Sequence, residues 1–470
     1  MNHDEQDGLG TSGGQPAQVL DSRVLGRLFT SAEMQAVFTD RAMIQSWLDA
    51  EVGLSAAQAE LGLIPKTAAA AIAASADAGR FDPDAIGAEI RRTAHPLVPL
   101  IRQLGEAAGP GAAAFVHYGA TTQDITDTGL ALQLRQAMAI TERLTAGLTR
   151  VLADLAGRYR DLPMIGRTHS QHALPITLGF KFAVLAAECE RHLDRLADAR
   201  PRVLVGQLGG AVGSLAAFGE HGPEVRRRMM EHLGLGNAVI PWHTARDGFA
   251  ELTCVAAMIA ATCGKIANEV RVLQRTEVAE AEEPFELGKV GSSTMPHKRN
   301  PMFSEYVISN AILCRQAPAS MLAAMHQEHE RDMGLWGVDW SVLPDTFCRT
   351  ASTLEQVTWI MKGLVVHPDA ISRNLHLLGD ITLSEAAMMR LAADIGRGEA
   401  HEVVYQAAMR AWEAGTTLRD ELAADGTDLP AGSLAGLAEL LVPEEYLGSC
   451  RQLTDDVTAR IRARLEGGAE

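Results

Sequence analysis

The chain has 470 residues, enough for about three domains at roughly 150 residues per domain. Its formal net charge is -17 and it has no long basic run, which argues against nucleic-acid binding because that needs a positive surface. Apolar residues make up 47% of the chain and aromatic residues only 5%, a composition that favours helices packed on helices.

The N-terminal segment, residues 1–18, is predicted to be a disordered tail. It reads "MNHDEQDGLGTSGGQPAQ" and lacks the apolar core of a signal peptide. No uninterrupted apolar stretch approaches ~18 residues, so no membrane span is predicted. The six cysteines are far apart in the sequence and form no CxxC pair. They therefore indicate reduced, mostly buried thiols in a cytoplasmic protein.

Shorter amphipathic helices are predicted first, over about residues 31–62 and 67–110. Proline cannot continue a helix from its interior, so each proline in this zone predicts a break. We place the boundary of this N-terminal helical domain, residues 19–115, where these short helices end. The prolines that break it are Pro65, Pro83, Pro96 and Pro110.

Two longer helices follow, and their apolar residues recur at spacings of three and four. Such seams average about 3.5 residues per repeat and need partner helices along their full length. They predict a helix bundle in a central domain over residues 116–364. The first seam is Leu134, Ala137, Thr141, Leu144, Leu148, Val151 and Leu155, and the second is Leu252, Val255, Ile259, Cys263, Ile266, Val270 and Leu273.

A third zone of short helices begins after "VVHPDAI", residues 365–371, and is predicted to be a C-terminal helical domain over 365–470. Strands are predicted to be nearly absent, and no internal repeat is visible. The residues that punctuate this zone are Gly379, Gly396, Gly415, Gly426 and Pro430.

Four polar clusters interrupt the helical pattern: "SRVLGRLF", "HYGATTQDITDT", "GRTHSQHALPITLG" and "GSSTMPHKRNP". Each has an ordinary explanation when taken alone. Thr121 and Thr122 before Asp124 fit a helix N-cap, His169 fits a structural histidine, and Arg23 fits an exposed ion pair. Hydroxyl, amide and basic side chains nevertheless recur together at element ends, where binding sites usually lie.

"GSSTMPHKRNP" resembles the signature of the fumarase/aspartase superfamily, and the other three clusters resemble its remaining shared regions in the same chain order. The resemblance covers about residues 20–460. It implies an all-α, three-domain fold whose central domain contributes long helices to a twenty-helix homotetramer core. It also implies active sites assembled from three subunits, and a mobile signature loop over residues 286–301.

The resemblance also implies the roles of individual residues. Ser292 is expected to be the catalytic base, with Lys298 and nearby N–H groups favouring its anion. His169 is expected to be the general acid or the group that orients the leaving group. A small dicarboxylate substrate is expected, with no cofactor and no metal, because no His/Asp/Glu cluster has ligand spacing. The residues expected to bind substrate are Arg23, His95, Thr121, Thr122, Thr168, Gln171, Gln207, Ser293, Met295, Lys298, Asn300 and Arg331.

The signals for a subgroup disagree. "PWHTARD", "EHERDMGLW" and "DWSVLPD" look most like 3-carboxy-cis,cis-muconate cycloisomerases, which commonly have an aromatic residue where His169 stands. "GRTHSQ" is similar to adenylosuccinate and argininosuccinate lyases, and His95 in "TAHPLVPL" is similar to the former. Adenylosuccinate lyases have a phosphate-binding arginine shortly before "LPD", whereas this chain has Trp340. Trp340 and Trp336, one helical turn earlier, either line an apolar wall or pack in the core.

These signals together predict a lyase on a cycloisomerase-like scaffold. It is expected to perform anti β-elimination on a small substituted succinate, cleave a C–N bond with an amine or nitrite leaving group, and release fumarate. The alternative is a 3-carboxy-cis,cis-muconate cycloisomerase, which closes or opens a ring within one molecule. An adenylosuccinate lyase and a non-catalytic scaffold are the remaining alternatives.

Overall fold

A computed structural model describes residues 18–285, 294–295, 297–424 and 429–467. The expected tail up to residue 17, Gly426 and most of the signature loop, with Ser292 and Ser293, lie outside the described residues. The described chain is mostly helical, which confirms the all-α prediction. It forms two compact units: unit 1 lies within residues 1–145, 192–264 and 306–355, and unit 2 within 146–191, 265–305 and 356–470.

The N-terminal helices begin where capping residues and prolines predict. The Thr39 hydroxyl accepts a hydrogen bond from the Ala42 N–H at the start of α2. Pro65 directly precedes α3, and Pro83 and Pro110 are the first residues of α4 and α6. The helices are α1 Ala32–Val37, α2 Asp40–Glu60, α3 Lys66–Ser75, α4 Pro83–Thr93, α5 Val98–Ala108 and α6 Pro110–Ala113.

The two long helices are present where their seams predict them. The seven seam residues of the second helix, α10, are all buried. By length and composition α10 is apolar enough to cross a membrane, but 72% of its apolar window is buried, as in a core helix. The helices of this region are α7 Thr122–Arg158, α8 Leu178–Val203, α9 Gly222–Leu233, α10 Asp247–Leu273, α11 Met302–Cys314, α12 Ala317–Ala324, α13 Met333–Trp336 and α14 Val338–Lys362.

The last helices have a core of their own, in which Leu383, Leu391, Val404 and Leu422 are buried. Gly415 has a left-handed φ of 68° directly after α17, a conformation that glycine adopts without strain. The boundaries predicted at residues 115 and 365 stay predictions. The helices are α15 Pro368–Leu375, α16 Ser384–Ile395, α17 Arg397–Ala414, α18 Leu418–Ala423, α19 Leu437–Leu440 and α20 Cys450–Gly467. Short 3-10 helices lie at Val19–Asp21, Gly26–Leu28, Ala78–Arg80, Ala216–His221 and Gly379–Leu383.

Three small two-stranded sheets complete the described structure. β1 and β2 form an antiparallel hairpin, β3 and β4 pair in parallel, and β5 and β6 pair antiparallel. The hairpin contains the "GRTHSQ" cluster, so this cluster lies on strands and their turn. The strands are β1 Pro163–Thr168, β2 Gln171–Thr177, β3 Val205–Gly206, β4 Gly236–Asn237, β5 Ala281–Glu282 and β6 Val365–Val366.

Five of the six cysteines are buried and Cys254 is half-buried, and all six are free thiols. Burial raises the pKa of Cys263 and of Cys314 to about 12, because it disfavours the charged thiolate. Both thiols therefore stay protonated at neutral pH and act as small apolar side chains.

The apolar core of unit 1 also encloses a charged side chain, Arg246, which is fully buried. Its Nη1 donates to Asp127 Oδ2 at 2.7 Å and its Nε to Asp339 Oδ2 at 3.0 Å. Its guanidinium carbon also lies 5.2 Å from the ring centroid of Trp242 and 4.9 Å from that of Phe249. The guanidinium thus neutralises two carboxylates that are themselves out of contact with water.

We expect Arg246→Met to lower the free energy of unfolding by about 3–5 kcal/mol, because it leaves buried carboxylates unpaired. The exposed pair of Arg202 and Glu251 provides the control, and Arg202→Met should cost much less because water screens this pair. Both losses are measured by urea denaturation at a fixed chain concentration. Equal losses for the two variants would contradict this account of Arg246.

Candidate functional site

The carboxylate of Asp124, in the first turn of α7, is fully buried and accepts four hydrogen bonds. The donors are the backbone N–H groups of Thr121 at 3.0 Å, Gly209 at 2.8 Å and Gly210 at 2.9 Å, and His243 Nε2 at 2.8 Å. The bond from Thr121 is half of a capping box, so the helix-cap interpretation of this cluster is correct for Asp124. The other three bonds join two distant segments of unit 1 to the start of α7.

The glycine-rich run "GQLGGAVG" approaches Asp124 closely at Gly209 and Gly210, which have no side chains. A Cβ on Gly209 would lie 2.8 Å from His243 Cε1, and Gly210 has a φ of 70°. The predicted binding residue Gln207 lies at the start of this run and is fully buried. Its Oε1 accepts a hydrogen bond from the Trp242 N–H at 2.9 Å, and its Nε2 has no partner among the described residues.

His95 and Thr122, two predicted binding residues, lie within contact of each other. The distance from His95 Nε2 to Thr122 Oγ1 is 3.4 Å. His95 Nδ1 accepts from the Val98 N–H at 3.4 Å, so the neutral ring has its proton on Nε2. His95 therefore donates to Thr122 while its ring orientation is set by the start of α5.

Arg331 is attached to the same framework. Its Nε donates to Gln123 Oε1 at 3.1 Å, and its Nη2 donates to Gly210 O at 3.4 Å. The Gln123 amide is buried, and its Nε2 donates to His243 O at 2.9 Å. The Gln123 side chain thus links Arg331 to the segment of His243, which also donates a hydrogen bond to Asp124.

The backbone before Thr121 is held by a buried ion pair. His117 Nδ1 lies 2.7 Å from Glu51 Oε1, and the His117 N–H donates to Glu51 Oε2 at 3.1 Å. His117 has a φ of 57°, which is strained for a residue with a side chain. Burial lowers the pKa of His117, but the charge and hydrogen bond of Glu51, with a further contribution from Asp124, outweigh it, so the pKa is raised overall.

In unit 2, His169 lies at the exposed tip of the β1–β2 hairpin. Thr168 pairs with Gln171, and His169 and Ser170 form the two-residue turn between them with φ values of 49° and 65°. Thr168, His169 and Gln171, all predicted site residues, are exposed. Arg167, just before the tip, binds the buried carboxylate of Glu280 through two hydrogen bonds of 2.9 and 2.6 Å.

The described part of the signature loop leads into α11. The Lys298 N–H donates to Met295 O at 3.0 Å, and both side chains are exposed while Asn300 is half-buried. The loop is fixed at Arg299, whose Nη1 donates to Glu282 Oε1 at 3.0 Å. The expected base Ser292 and its neighbour Ser293 lie outside the described residues.

The predicted site residues therefore form two separate groups, and their individual roles stay predictions. His95, Thr121, Thr122, Gln207 and Arg331 lie in or beside the polar network of unit 1. Arg23, also in unit 1, is exposed in the turn after Ser22. The group in unit 2 is Thr168, His169, Gln171, Met295, Lys298 and Asn300.

Several framework residues were not predicted, among them Gln123, Asp127 and His243. A signal for Gln123 and Asp127 was present in "TQDITDT", where about two turns of helix carry polar side chains at buried positions. Polar side chains at buried helix positions need partners, so this segment indicates a network. The partners themselves, more than 100 residues away, leave no local pattern.

The core-packing interpretation is confirmed for Trp336. Its side chain is buried and its Nε1 donates to Asp127 Oδ1 at 3.1 Å. Its ring centroid lies 4.9 Å from that of Trp340, which packs against the core of unit 1. Trp340 also lines a cleft of 970 Å³ together with Asp21, Asp40 and Asp345. Acidic walls of this kind do not suit a carboxylate substrate.

No group of three or more His, Cys, Asp or Glu side chains could hold a metal ion within the part of the chain that the structure describes. The cationic side chains among the described predicted residues are the guanidinium groups of Arg23 and Arg331 and the ammonium group of Lys298.

The helical fold and the ordered polar clusters define a class of enzyme, and comparison with known proteins agrees. A model described as "Lyase" matches residues 28–315, and one described as "Adenylosuccinate lyase C-terminus" matches residues 380–457. The chain belongs to the lyase family of the fumarase/aspartase superfamily.

Individual relatives are similar over nearly their full length. The 3-carboxy-cis,cis-muconate cycloisomerase of Pseudomonas aeruginosa is 42% identical over 438 residues, 93% of this chain and 95% of that protein. The N-acetyl-S-(2-succino)cysteine lyase of Enterococcus italicus is 41% identical over 94% of this chain and 97% of that protein. The solved 3-carboxy-cis,cis-muconate lactonizing enzyme of Pseudomonas putida superposes with a TM-score of 0.85 at 38% identity, over 93% and 98% of the two chains.

The prediction of a carbon–nitrogen lyase that releases fumarate is therefore wrong. The similar 3-carboxy-cis,cis-muconate cycloisomerases support the alternative instead. The similar lyase is named for a sulfur-linked succinate, so its name does not indicate C–N cleavage either. The error came from the weight given to one residue, His169. The segments "PWHTARD" and "DWSVLPD", which resemble cycloisomerases, contribute the buried network around Asp124 and Arg246.

We expect Glu51→Gln to lower the free energy of unfolding by about 1.5–3 kcal/mol at pH 6, because it removes a charged hydrogen-bond partner. The pKa of His117 is raised in the folded state, so this stabilisation is complete below the unfolded pKa of about 6.5 and is lost as pH rises through the folded pKa. The loss should consequently be smaller at pH 9.

The measurement is urea denaturation at pH 6 and pH 9 with a fixed chain concentration. Glu60→Gln is the control on the same helix, since Glu60 pairs with a partly exposed His232 at 3.0 Å and should matter little at either pH. A Glu51→Gln loss that grew with pH would contradict the assigned direction.

Proposed function

We propose that the protein is a 3-carboxy-cis,cis-muconate cycloisomerase that forms a lactone within one substrate molecule. The observation that carries the proposal is the buried network behind Thr121 and Thr122. Its partners His243, Arg246 and Asp339 come from the segments that resemble the cycloisomerases. The 42% identity to the Pseudomonas aeruginosa enzyme over nearly the whole chain supports the same conclusion.

The proposed reaction forms one C–O bond and one C–H bond, breaks the π bond of one C=C, and consumes one proton. A substrate carboxylate oxygen forms a C–O bond to an alkene carbon that is conjugated to a second carboxylate. The displaced electron pair of the C=C bond moves onto that carboxylate and gives an aci-carboxylate. A proton then adds to the carbon beside it, so the trianion takes up one proton from solvent and becomes a dianionic lactone. No oxidant or reductant is needed.

The chain's residues would stabilise the charge that develops in this intermediate. In the proposal, Ser292 carries the proton to and from carbon, with Lys298 and Asn300 beside the carboxylate that becomes dianionic. Arg331, held by Gln123 at 3.1 Å, supplies a guanidinium for another carboxylate of the substrate, not the one that becomes dianionic. His95, Thr121, Thr122 and Gln207 supply the neutral donors of the same site, and Thr168, Gln171, Ser293, Met295 and Arg23 complete it.

We also propose that the enzyme is a homotetramer in which each active site takes residues from three subunits. The exposed hairpin tip at His169 supports this, since an exposed imidazole becomes sequestered from water only when another surface covers it. Exposed apolar side chains on long helices support it as well. Among them are Met258 on α10, Ile312 and Leu313 on α11, and Leu322 on α12. The free thiols support a cytoplasmic location.

A second candidate is a lyase that eliminates a thiol from an S-succinylated thiol compound. The observation that favours it is His169 itself, together with the 41% identity to the Enterococcus italicus enzyme. A thiolate leaving group has a conjugate-acid pKa of about 8.5 and gains from a general acid, whereas a carboxylate, at about 4, does not. The two reactions therefore place different demands on one imidazole.

We expect the wild-type enzyme to decrease the ultraviolet absorbance of 3-carboxy-cis,cis-muconate, because lactonisation removes one of two conjugated C=C bonds. Ser292→Ala should lower kcat by about 10²–10⁴-fold, the usual contribution of a positioned proton-transfer group. Light scattering should give four times the 50.3 kDa chain mass for both proteins. Full activity in Ser292→Ala would reject the base, and no turnover by the tetrameric wild type would reject the cycloisomerase.

We expect His169→Asn to distinguish the two candidate reactions, since asparagine tolerates the positive φ of this turn but cannot donate a proton as an acid. In a cycloisomerase, kcat should fall by less than about 10-fold. In a thiol lyase, it should fall by about 10²–10⁴-fold. Each rate is measured with its own substrate, 3-carboxy-cis,cis-muconate or an N-acetyl-S-succinocysteine, and wild-type turnover of only the latter selects the second candidate.

A further inference from the structure

The β1–β2 hairpin holds its tip in an unfavourable conformation. A two-residue turn with positive φ at both positions suits glycine or asparagine, but here the residues are His169 and Ser170. Such strain persists only where the surrounding structure determines it. Within the described chain, no side-chain hydrogen bond holds the His169 imidazole, so its position depends on the hairpin beneath it.

The base of the tip is fixed by a buried acceptor on another segment. Arg167 donates through Nη1 to Glu280 Oε2 at 2.9 Å and through Nη2 to Glu280 Oε1 at 2.6 Å. The Glu280 side chain is 1% exposed, and its Oε1 also accepts from Asn374 Nδ2 at 2.8 Å. The Glu280 backbone carbonyl accepts from the His367 N–H at 3.0 Å. The carboxylate therefore has one orientation, and the fork of Arg167 can meet it in only one way.

A bulge in the hairpin, with its extra residue on β2, lies directly before Arg167. The register shifts between Ile165 and Arg167, and a Cβ on Gly166 would lie 2.7 Å from Leu174 O. The bulge therefore requires glycine, and it redirects the next side chain. Arg167 pairs with His172 across the hairpin, one pair before the tip.

We propose that Arg167 and Glu280 are positioning residues for catalysis, acting through the placement of His169. The ion pair sets the register of the last two residue pairs of the hairpin and so the location of the imidazole. Asn374 assists by orienting the Glu280 carboxylate. The link to turnover rests on the proposed function, whereas the placement of the hairpin tip does not.

The test compares Glu280→Gln with Glu190→Gln, which neutralises another buried glutamate of unit 2 that is paired with Arg460. Hydrogen–deuterium exchange of a peptide over residues 163–177 measures how stably the hairpin is held, and it needs no substrate. We expect exchange at the tip to become at least ~10-fold faster in Glu280→Gln and to remain unchanged in Glu190→Gln.

Steady-state measurement of kcat and KM tests the consequence for catalysis. For Glu280→Gln we expect kcat to fall with a much smaller change in KM, because a misplaced group costs rate more than binding. The fall should not exceed that of His169→Asn on the same substrate, so we expect ~2–10-fold with 3-carboxy-cis,cis-muconate and ~10–100-fold with N-acetyl-S-succinocysteine. Glu190→Gln should leave kcat and KM unchanged. Arg167→Lys, which keeps the charge but loses the fork, should lie between wild type and Arg167→Met.

The exchange result tests the placement of the hairpin tip, and the kinetic result tests its effect on catalysis. Unchanged exchange in Glu280→Gln overturns the positioning of the tip, whatever the substrate is. Faster exchange with unchanged kcat on a working substrate overturns the catalytic consequence. A wild type that turns over neither 3-carboxy-cis,cis-muconate nor N-acetyl-S-succinocysteine overturns the proposed function, and the exchange result still decides the role of Glu280 at the tip.

Discussion

The buried carboxylate of Asp124 is the constraint on which the polar framework of unit 1 depends. A carboxylate without water must be matched by donors, and here four donors converge on it from three segments. Because three of the four are backbone N–H groups, these bonds fix the main chain of two segments to the Asp124 side chain. The start of α7, the glycine run and the His243 segment thereby keep one arrangement, and the predicted binding residues Thr121 and Gln207 lie directly on it.

Asp127 and Glu280 are also buried carboxylates that need hydrogen-bond donors. Each buried carboxylate is matched by a guanidinium, Arg246 in unit 1 and Arg167 in unit 2. Under the proposed function, this pairing would allow a chain of net charge -17 to bind an anionic substrate. Acidic groups close to the candidate residues are neutralised inside the protein, so they do not repel a carboxylate. Arg331 donates to a neutral amide and a carbonyl, so under the proposed function its charge is available to the substrate.

The sequence predicted the long helices well because their apolar seams are local, periodic signals. Leu252 to Leu273 repeat at spacings that only a buried helix face satisfies, and Pro65 and Pro83 mark helix starts for steric reasons. The β1–β2 hairpin was missed because its turn contains no glycine or Asn-Gly pair, and its strands include Arg167 and His172. The other donors to Asp124 besides Thr121 were not predictable, because they are 85 or more residues away in the sequence.

The function prediction failed at the point where one residue type was taken to define the leaving group. An imidazole at position 169 can protonate a departing thiolate, or it can orient a carboxylate that attacks an alkene; both uses need the same location. The pKa of the leaving group decides between them, since a carboxylate needs no acid and a thiolate does. Residues that fix the site's framework, such as His243 and Arg246, therefore bear on the substrate through the shape they impose. A single exposed histidine fits both reactions and does not by itself identify the substrate.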